Sequence, residues 1–217
     1  MTWFLETEAT KFASFTGHRP KEIFGTYDMD NPRAKLLAHE LKKEIERLIV
    51  EDGVDAFISG GALGTDQIAF ICVHQLKKKY PHIKNILAVP YEDQANGWEE
   101  QLEKARLNKW KKAISDLELT LKRYEKIVEV ADEVVYVDTF EKYQPKNMKP
   151  EHVGRHSNPK LQMRNIFMVD HSEIVIAVYN GSGKGGTFNC YEDARKKNKH
   201  IIVLDPNNEF KVKKNAS

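Results

Sequence analysis

The sequence predicts an α/β fold, a three-layer sandwich with helices on both sides of a mostly parallel sheet. Two observations carry this: short apolar runs recur along the chain, and helical stretches separate them. The runs are Phe12 to Thr16, Ala56 to Ser59, Ile83 to Val89, Val134 to Val137, Ile174 to Tyr179 and Ile201 to Leu204. Each is continuous rather than alternating, the pattern of strands covered on both faces. Strands alternating with helices imply βαβ units with right-handed crossovers. A third observation points to function: three of the runs lead into loops of glycine and small polar residues.

Each element has its own signals. Asn31-Pro32 opens a helix, with Pro32 suited to the first helical position. Leu37, Leu41, Ile45, Leu48 and Ile49 form its apolar stripe, and Gly53 closes it. Thr65 is expected to cap the next helix, whose inner side carries Ile68, Cys72 and Leu76. The charged stretch from Trp98 to Val130 reads as helix, and Ser115 with Glu118 matches a capping box that would divide it in two. From Thr139 to Pro159 the chain is polar, with three prolines and no period. Such an insertion is a lid, a binding loop or a partly disordered segment. Residues 1–217 are expected to form one domain.

Composition narrows the function classes. A chain of 217 residues with 41% hydrophobic and 30% charged residues can bury a core without disulfides or metals. A net charge of +2 argues against a protein that coats nucleic acid, though it leaves room for a local basic groove. Lys104, Arg106, Lys109, Lys111 and Lys112 surround Trp110, but Glu99, Glu100 and Glu103 sit beside them, so this reads as a solvated helix face. Cys72 and Cys190 read as buried free thiols of a reducing compartment. The first dozen residues include Glu6 and Glu8 and lack a long apolar run, so no signal peptide is expected. No stretch is long enough to span a bilayer, and a cytoplasmic location follows as the expectation. No His, Cys, Asp and Glu set has metal-ligand spacing, so neither metal nor cofactor is expected.

The three loops are Thr16-Gly17-His18-Arg19-Pro20, then Ser59-Gly60-Gly61-Ala62-Leu63-Gly64-Thr65-Asp66, then Asn180-Gly181-Ser182-Gly183-Lys184-Gly185-Gly186-Thr187. In open parallel sheets ligands bind outside the carboxyl ends of the strands, where all three lie. Glycine lets a backbone N–H approach an anion, and the following helix points its dipole at the same place. Thr65 and Thr187 each begin such a helix. A Walker loop is excluded, because Lys184 is followed by glycines rather than by a hydroxyl residue. Gly181, Gly183 and Gly186 satisfy the dinucleotide fingerprint, with Asp205 at the end of the next strand. Pro206 and a short polar tail follow at once, which leaves this a minor alternative.

Read together, FTGHRP, ISGGALGTDQIAF, AVPYEDQ with Trp98, RNIFMVDHSEIVIAVYNGSGKGGTFNCYEDA and IIVLDP resemble the YpsA-like branch of the SLOG superfamily, over most of the chain from Phe12 to Pro206. That superfamily includes the DNA-processing protein DprA and the lonely-guy phosphoribohydrolases. The resemblance implies a Rossmann-like sheet, assembly as a homodimer or larger homo-oligomer, and a pocket for a nucleotide or nucleotide-derived ligand. By motif, Gly60, Gly61, Ala62, Gly185, Gly186 and Thr187 would contact phosphate, with Thr16, Gly17 and Arg19 beside them and His18 the most notable histidine. Asp66 would meet a ribose hydroxyl or complement its helix dipole. Arg164, next to Asn165, would bind phosphate or carboxylate, its loss costing affinity rather than stability, or would form a surface ion pair. Trp98 would stack on a base or sit in the core.

The expected function is a sensing or sequestering module for an ADP-ribose-like or cyclic nucleotide signal. Two alternatives stand beside it. Lonely-guy glycosidase chemistry needs acids directly after the Gly-Thr of its motif, where this chain has Phe188 and Asn189, with Glu192 more than a turn onward. DprA-like binding of single-stranded DNA needs a basic groove with aromatic platforms, so nucleic acid is not the expected partner.

Overall fold

The computed structural model describes residues 11–213. Glu6 and Glu8, on which the leader argument rests, lie outside the described residues. Six strands form one sheet in the order β4-β3-β2-β1-β5-β6, and every pairing is parallel. They are β1 (Phe12–Gly17), β2 (Ala56–Ser59), β3 (Lys84–Val89), β4 (Glu133–Tyr136), β5 (Ile174–Val178) and β6 (His200–Leu204). The inner strands β2 and β5 are buried at every position, as continuous apolar runs require. The outer strands β4 and β6 are only partly covered, so the expectation of two covered faces holds for the inner strands and not for these.

The helices are α1 (Pro20–Phe24), α2 (Pro32–Glu51), α3 (Thr65–Leu76), α4 (Asn96–Leu107), α5 (Lys111–Val130), α6 (Asn158–Asp170) and α7 (Gly186–Lys196). In α2 the Asn31 side chain accepts the Ala34 N–H at 3.0 Å, with Pro32 at the first position. Its stripe of Leu37, Leu41, Ile45 and Leu48 is fully buried, worth about 1.5–3 kcal/mol per side chain. Gly53 ends it with φ of +67°, where the chain turns into the left-handed region. Cys72 and Cys190 are free and buried, and burial pushes their thiols up to about 12 and about 11, far from the reactive thiolate.

Two local expectations need correction, and a third is narrowed. Thr65 does not cap α3: Gly64 holds that place at φ of +106°, and the Thr65 hydroxyl turns toward the His18 carbonyl at 3.4 Å. The helical stretch does divide in two, but between Leu107 and Lys111, where Lys109 adopts φ of +56°. Ser115 lies inside α5 instead. The 139–159 insertion is built of short 3₁₀ turns, Val137–Thr139, Glu141–Tyr143 and Pro150–His152, and it is tied from within. Lys160 Nζ, fully buried, bonds Asp138 Oδ2 at 2.7 Å and the Arg155 carbonyl at 2.8 Å, while the Gly154 N–H donates to the same Asp138 oxygen.

Among the described residues no helix is long and apolar enough to cross a membrane.

Candidate functional site

Chain order reverses between β1 and β5, because β1 leads to β2, β3 and β4 on one side while β5 and β6 lie on the other. At such a switch point the connections leave in opposite directions and open a crevice beyond the strand ends. A cavity of about 750 Å³ occupies that crevice. Thr16, Gly17, His18 and Arg19 enter its wall from the end of β1, Ala62 and Asp66 from the β2–α3 connection, and Arg164 and Asn165 from α6. Asn180, Gly185, Gly186 and Thr187 come from the loop after β5 and the start of α7. Residues from four separate motifs thus meet on one cavity.

The geometry there suits an anion. Gly185, at φ of +94°, turns the chain into α7, whose first N–H groups lack an intrahelical acceptor. A side chain added at Gly186 would meet nothing closer than Asn165 Nδ2 at 3.9 Å, so bare backbone faces open space. Arg19 is exposed to the cavity, and Lys184 lies on its rim. Gly17 has a different reason to be glycine. A Cβ there would stand 2.2 Å from Thr65 Oγ1, so the glycine lets α3 close against β1.

Asp66 and Arg164 form the buried centre. Arg164 Nη1 lies 3.2 Å from Asp66 Oδ2, its Nε donates to Asn165 Oδ1 at 3.1 Å, and the Ala62 N–H reaches Asp66 at 3.4 Å. Burial pushes the Asp66 carboxyl above the ordinary carboxylate range, against the pull of Arg164, Arg19 and the Ala62 N–H. A Cβ on Gly60 would sit 1.1 Å from Arg164 Nη1, so the guanidinium occupies the space that a side chain at residue 60 would need. Gly60 therefore lies beneath this pair, while a Cβ on Gly61 would meet Leu87 and Tyr124, and neither glycine is on the wall of either cavity. Arg164 is buried at 6% exposure, which replaces the surface ion pair with an internal one.

A second cavity of about 500 Å³ adjoins the first, and Arg19, Ala62, Leu63, Leu161 and Arg164 line both. Its character is aromatic. Trp98 lies there rather than in the first cavity, with its ring 5.3 Å from that of Tyr124. Tyr27, Tyr91 and His156 share the wall, the last two in edge contact at 5.4 Å. Of the remaining expected residues, Thr65 is buried behind Gly17, and Gly181 and Gly183 are not on either wall.

Other groups escaped the sequence reading. Glu22, Leu63 and Ser182 line the first cavity, and Tyr27, Tyr91 and His156 the second. Glu22 had one available signal, its place four residues after His18, which lets a short helix bring them together. Lys160 and Asp138, far apart in sequence, carried none. Glu192 pairs with Arg195 at 2.8 Å and is not on the wall of either cavity. Among the described residues no group of three or more His, Cys, Asp or Glu is placed to hold a metal.

The model of the YspA SLOG family matches residues 13–144. A Bacillus subtilis (strain 168) protein described as the uncharacterized SPbeta prophage-derived protein YoqJ is 43% identical over 168 residues, covering 77% of this chain and 85% of that one. A UPF0398 protein of Bacillus thuringiensis (strain Al Hakam) is 26% identical over 187 residues, 86% of this chain and 84% of its own. Among solved structures, DNA processing protein A from Helicobacter pylori, described for its single-stranded DNA binding mode, is similar over 96% of this chain and 74% of that one. Its identity is 19% and the TM-score 0.49. DprA from Streptococcus pneumoniae gives 13% identity and a TM-score of 0.47 over 93% of this chain, which spans 51% of that structure's length.

Proposed function

Starting from a chain that belongs to the YspA SLOG family, we propose that its double cavity binds a nucleotide or nucleotide-derived ligand as a sensing or sequestering module. The observation that carries this is the pairing of two chemically different cavities through shared walls. One has a helix N-terminus, bare glycine backbone and cationic side chains; the other is faced by Trp98, Tyr91 and Tyr27. Phosphate belongs in the first, where N–H groups and a positive dipole end meet it. A base belongs in the second, where aromatic faces offer stacking. Arg19 and Arg164, lining both, stand where the sugar-phosphate junction would lie. Homo-oligomeric assembly belongs to the same proposal.

The test is ligand-induced stabilisation. AMP, ADP or ADP-ribose at a hundredfold over its dissociation constant should add ~2.7 kcal/mol, a rise in melting temperature of roughly 5–10 °C for a domain of this size. Two variants separate site binding from bulk effects. Arg19→Ala removes an exposed cation, and Gly186→Val places a branched side chain in open space at the first residue of α7. Both should keep the fold and lose the shift. Wild-type shifts in both variants would move the site elsewhere, and no shift with any of the three ligands would reject the nucleotide reading. Submicromolar binding of a single-stranded oligonucleotide at physiological salt, abolished by charge reversal at Lys109, Lys111 and Lys112, would favour the DNA-binding alternative instead.

A further inference from the structure

His18 is 4% exposed, yet it lies on the wall of the anion cavity, and its two ring nitrogens have unequal partners. Nδ1 lies 2.7 Å from Oε2 of Glu22 in α1. Nε2 accepts the backbone N–H of Asn180 at 3.4 Å, beyond the usual range for such bonds. A carboxylate on Nδ1 holds the ring proton there and leaves the lone pair on Nε2. The charged and titratable groups around the ring come from several elements. Arg19 and Glu22 follow it in sequence, the Tyr179 ring stacks on it at 5.7 Å, Lys184 lies on the loop after β5, and Asp66 and Arg164 line the same cavity from α3 and α6.

Building on the nucleotide reading, we propose that the His18–Glu22 pair selects a terminal phosphate monoester over a cyclic phosphodiester by taking up a proton at Nε2 as the ligand binds. A dianionic phosphate beside the ring favours the imidazolium. Glu22 already balances the charge on the Nδ1 side. The new Nε2–H then exchanges a long bond from Asn180 for a charge-assisted bond to a phosphate oxygen. The proton comes from solvent, and no bond in the ligand breaks or forms. A cyclic diester carries a single negative charge and draws the proton less strongly.

Titration calorimetry at about pH 7.5, in two buffers of different ionisation enthalpy, measures the proton directly. The probes are AMP and cyclic 3′,5′-AMP. AMP is close to fully dianionic there, its second ionisation lying near pH 6, so any uptake belongs to the protein. Wild type should take up close to one proton with AMP and much less with the cyclic ligand, and should bind AMP about tenfold more tightly. His18→Gln keeps a hydrogen-bonding side chain but cannot titrate; it should abolish the uptake and level the two affinities. Glu22→Gln, at a side chain 58% exposed and therefore safe for folding, should reduce the uptake. AMP binding without uptake, or uptake that survives in His18→Gln, overturns the pair's role and leaves the nucleotide reading intact. Absence of heat with AMP, cyclic AMP, ADP and ADP-ribose alike overturns the nucleotide reading, and the pair's role falls with it.

Discussion

Arg164 occupies the volume that Gly60 leaves open and pairs with Asp66 in the same place, so three residues from separate elements form one packed unit. This changes what its removal should do. With Arg164→Ala, Asp66 stays buried beside an empty space, and breaking a buried pair in this way costs about 3 kcal/mol. The melting temperature should fall by roughly 6–12 °C, measured by differential scanning calorimetry without ligand. An unchanged midpoint would mean that the pair contributes little to the fold and would return Arg164 to the role expected from sequence, in which its loss costs affinity without a large loss of stability. Sequence singled out all three residues, but Gly60 and Arg164 as phosphate contacts and Asp66 as a ribose contact or a complement to its helix dipole. A glycine's local motif cannot say whether an anion or a side chain from a distant helix fills the space above it.

At the level of elements, the sequence was legible where a signal is local and periodic. The Pro32 start, the stripe of α2 and the Gly53 stop all lie in one stretch of chain, and the structure has each of them. The boundary between α4 and α5 was misjudged because a capping box is a pattern that a helix interior can also hold. Lys109 makes the turn in the left-handed region with no glycine to announce it. The 139–159 insertion was opaque for another reason: its order comes from the buried Lys160, not from a repeat. The end of α6 is held in a way that pH can probe. Burial pushes the Asp170 carboxyl up, but hydrogen bonds from Lys197, Lys142 and Tyr143 outweigh it and hold the group at about 2. Its folded value is below the unfolded one, so it stabilises at pH above about 4 and that contribution fades as pH falls toward 2. Asp170→Asn should therefore lose about 1 kcal/mol at pH 7, with the gap to wild type narrowing by pH 3. Urea midpoints at the two pH values check it, and an equal gap at both would assign the loss to something other than the charge.

For the molecule as a whole, the continuous apolar runs were enough to predict a mostly parallel α/β sheet, and the glycine-rich ends of β1, β2 and β5 were enough to choose one edge of it. They were not enough to show two cavities, because Tyr27, Tyr91 and His156 reach the second from unrelated segments. Two carboxylates line the first cavity, and both are engaged, Asp66 with Arg164 and Glu22 with His18. Glu192 lies off its wall. Among the described residues neither carboxylate of the first cavity is therefore free to activate water, an effect worth about 10²–10⁴ in rate. Asp116 lies on the wall of the second cavity instead. Incubation with AMP should accordingly release adenine no faster than a blank, followed by chromatography. Robust turnover that disappears in Glu192→Gln or Asp66→Asn would return the chain to the hydrolases.

The Asp66–Arg164 pair also joins residues 98 positions apart, which bears on how the protein comes into being. Closing a loop of that length costs entropy before the contact repays it, and contacts of this kind slow folding. On the ribosome, the strands β1 to β4 are synthesised before α6. At that stage Asp66 and Gly60 have been made, but Arg164, which pairs with one and covers the other, has not. Both cavities wait on the same element, because Arg164 and Leu161 of α6 line each of them.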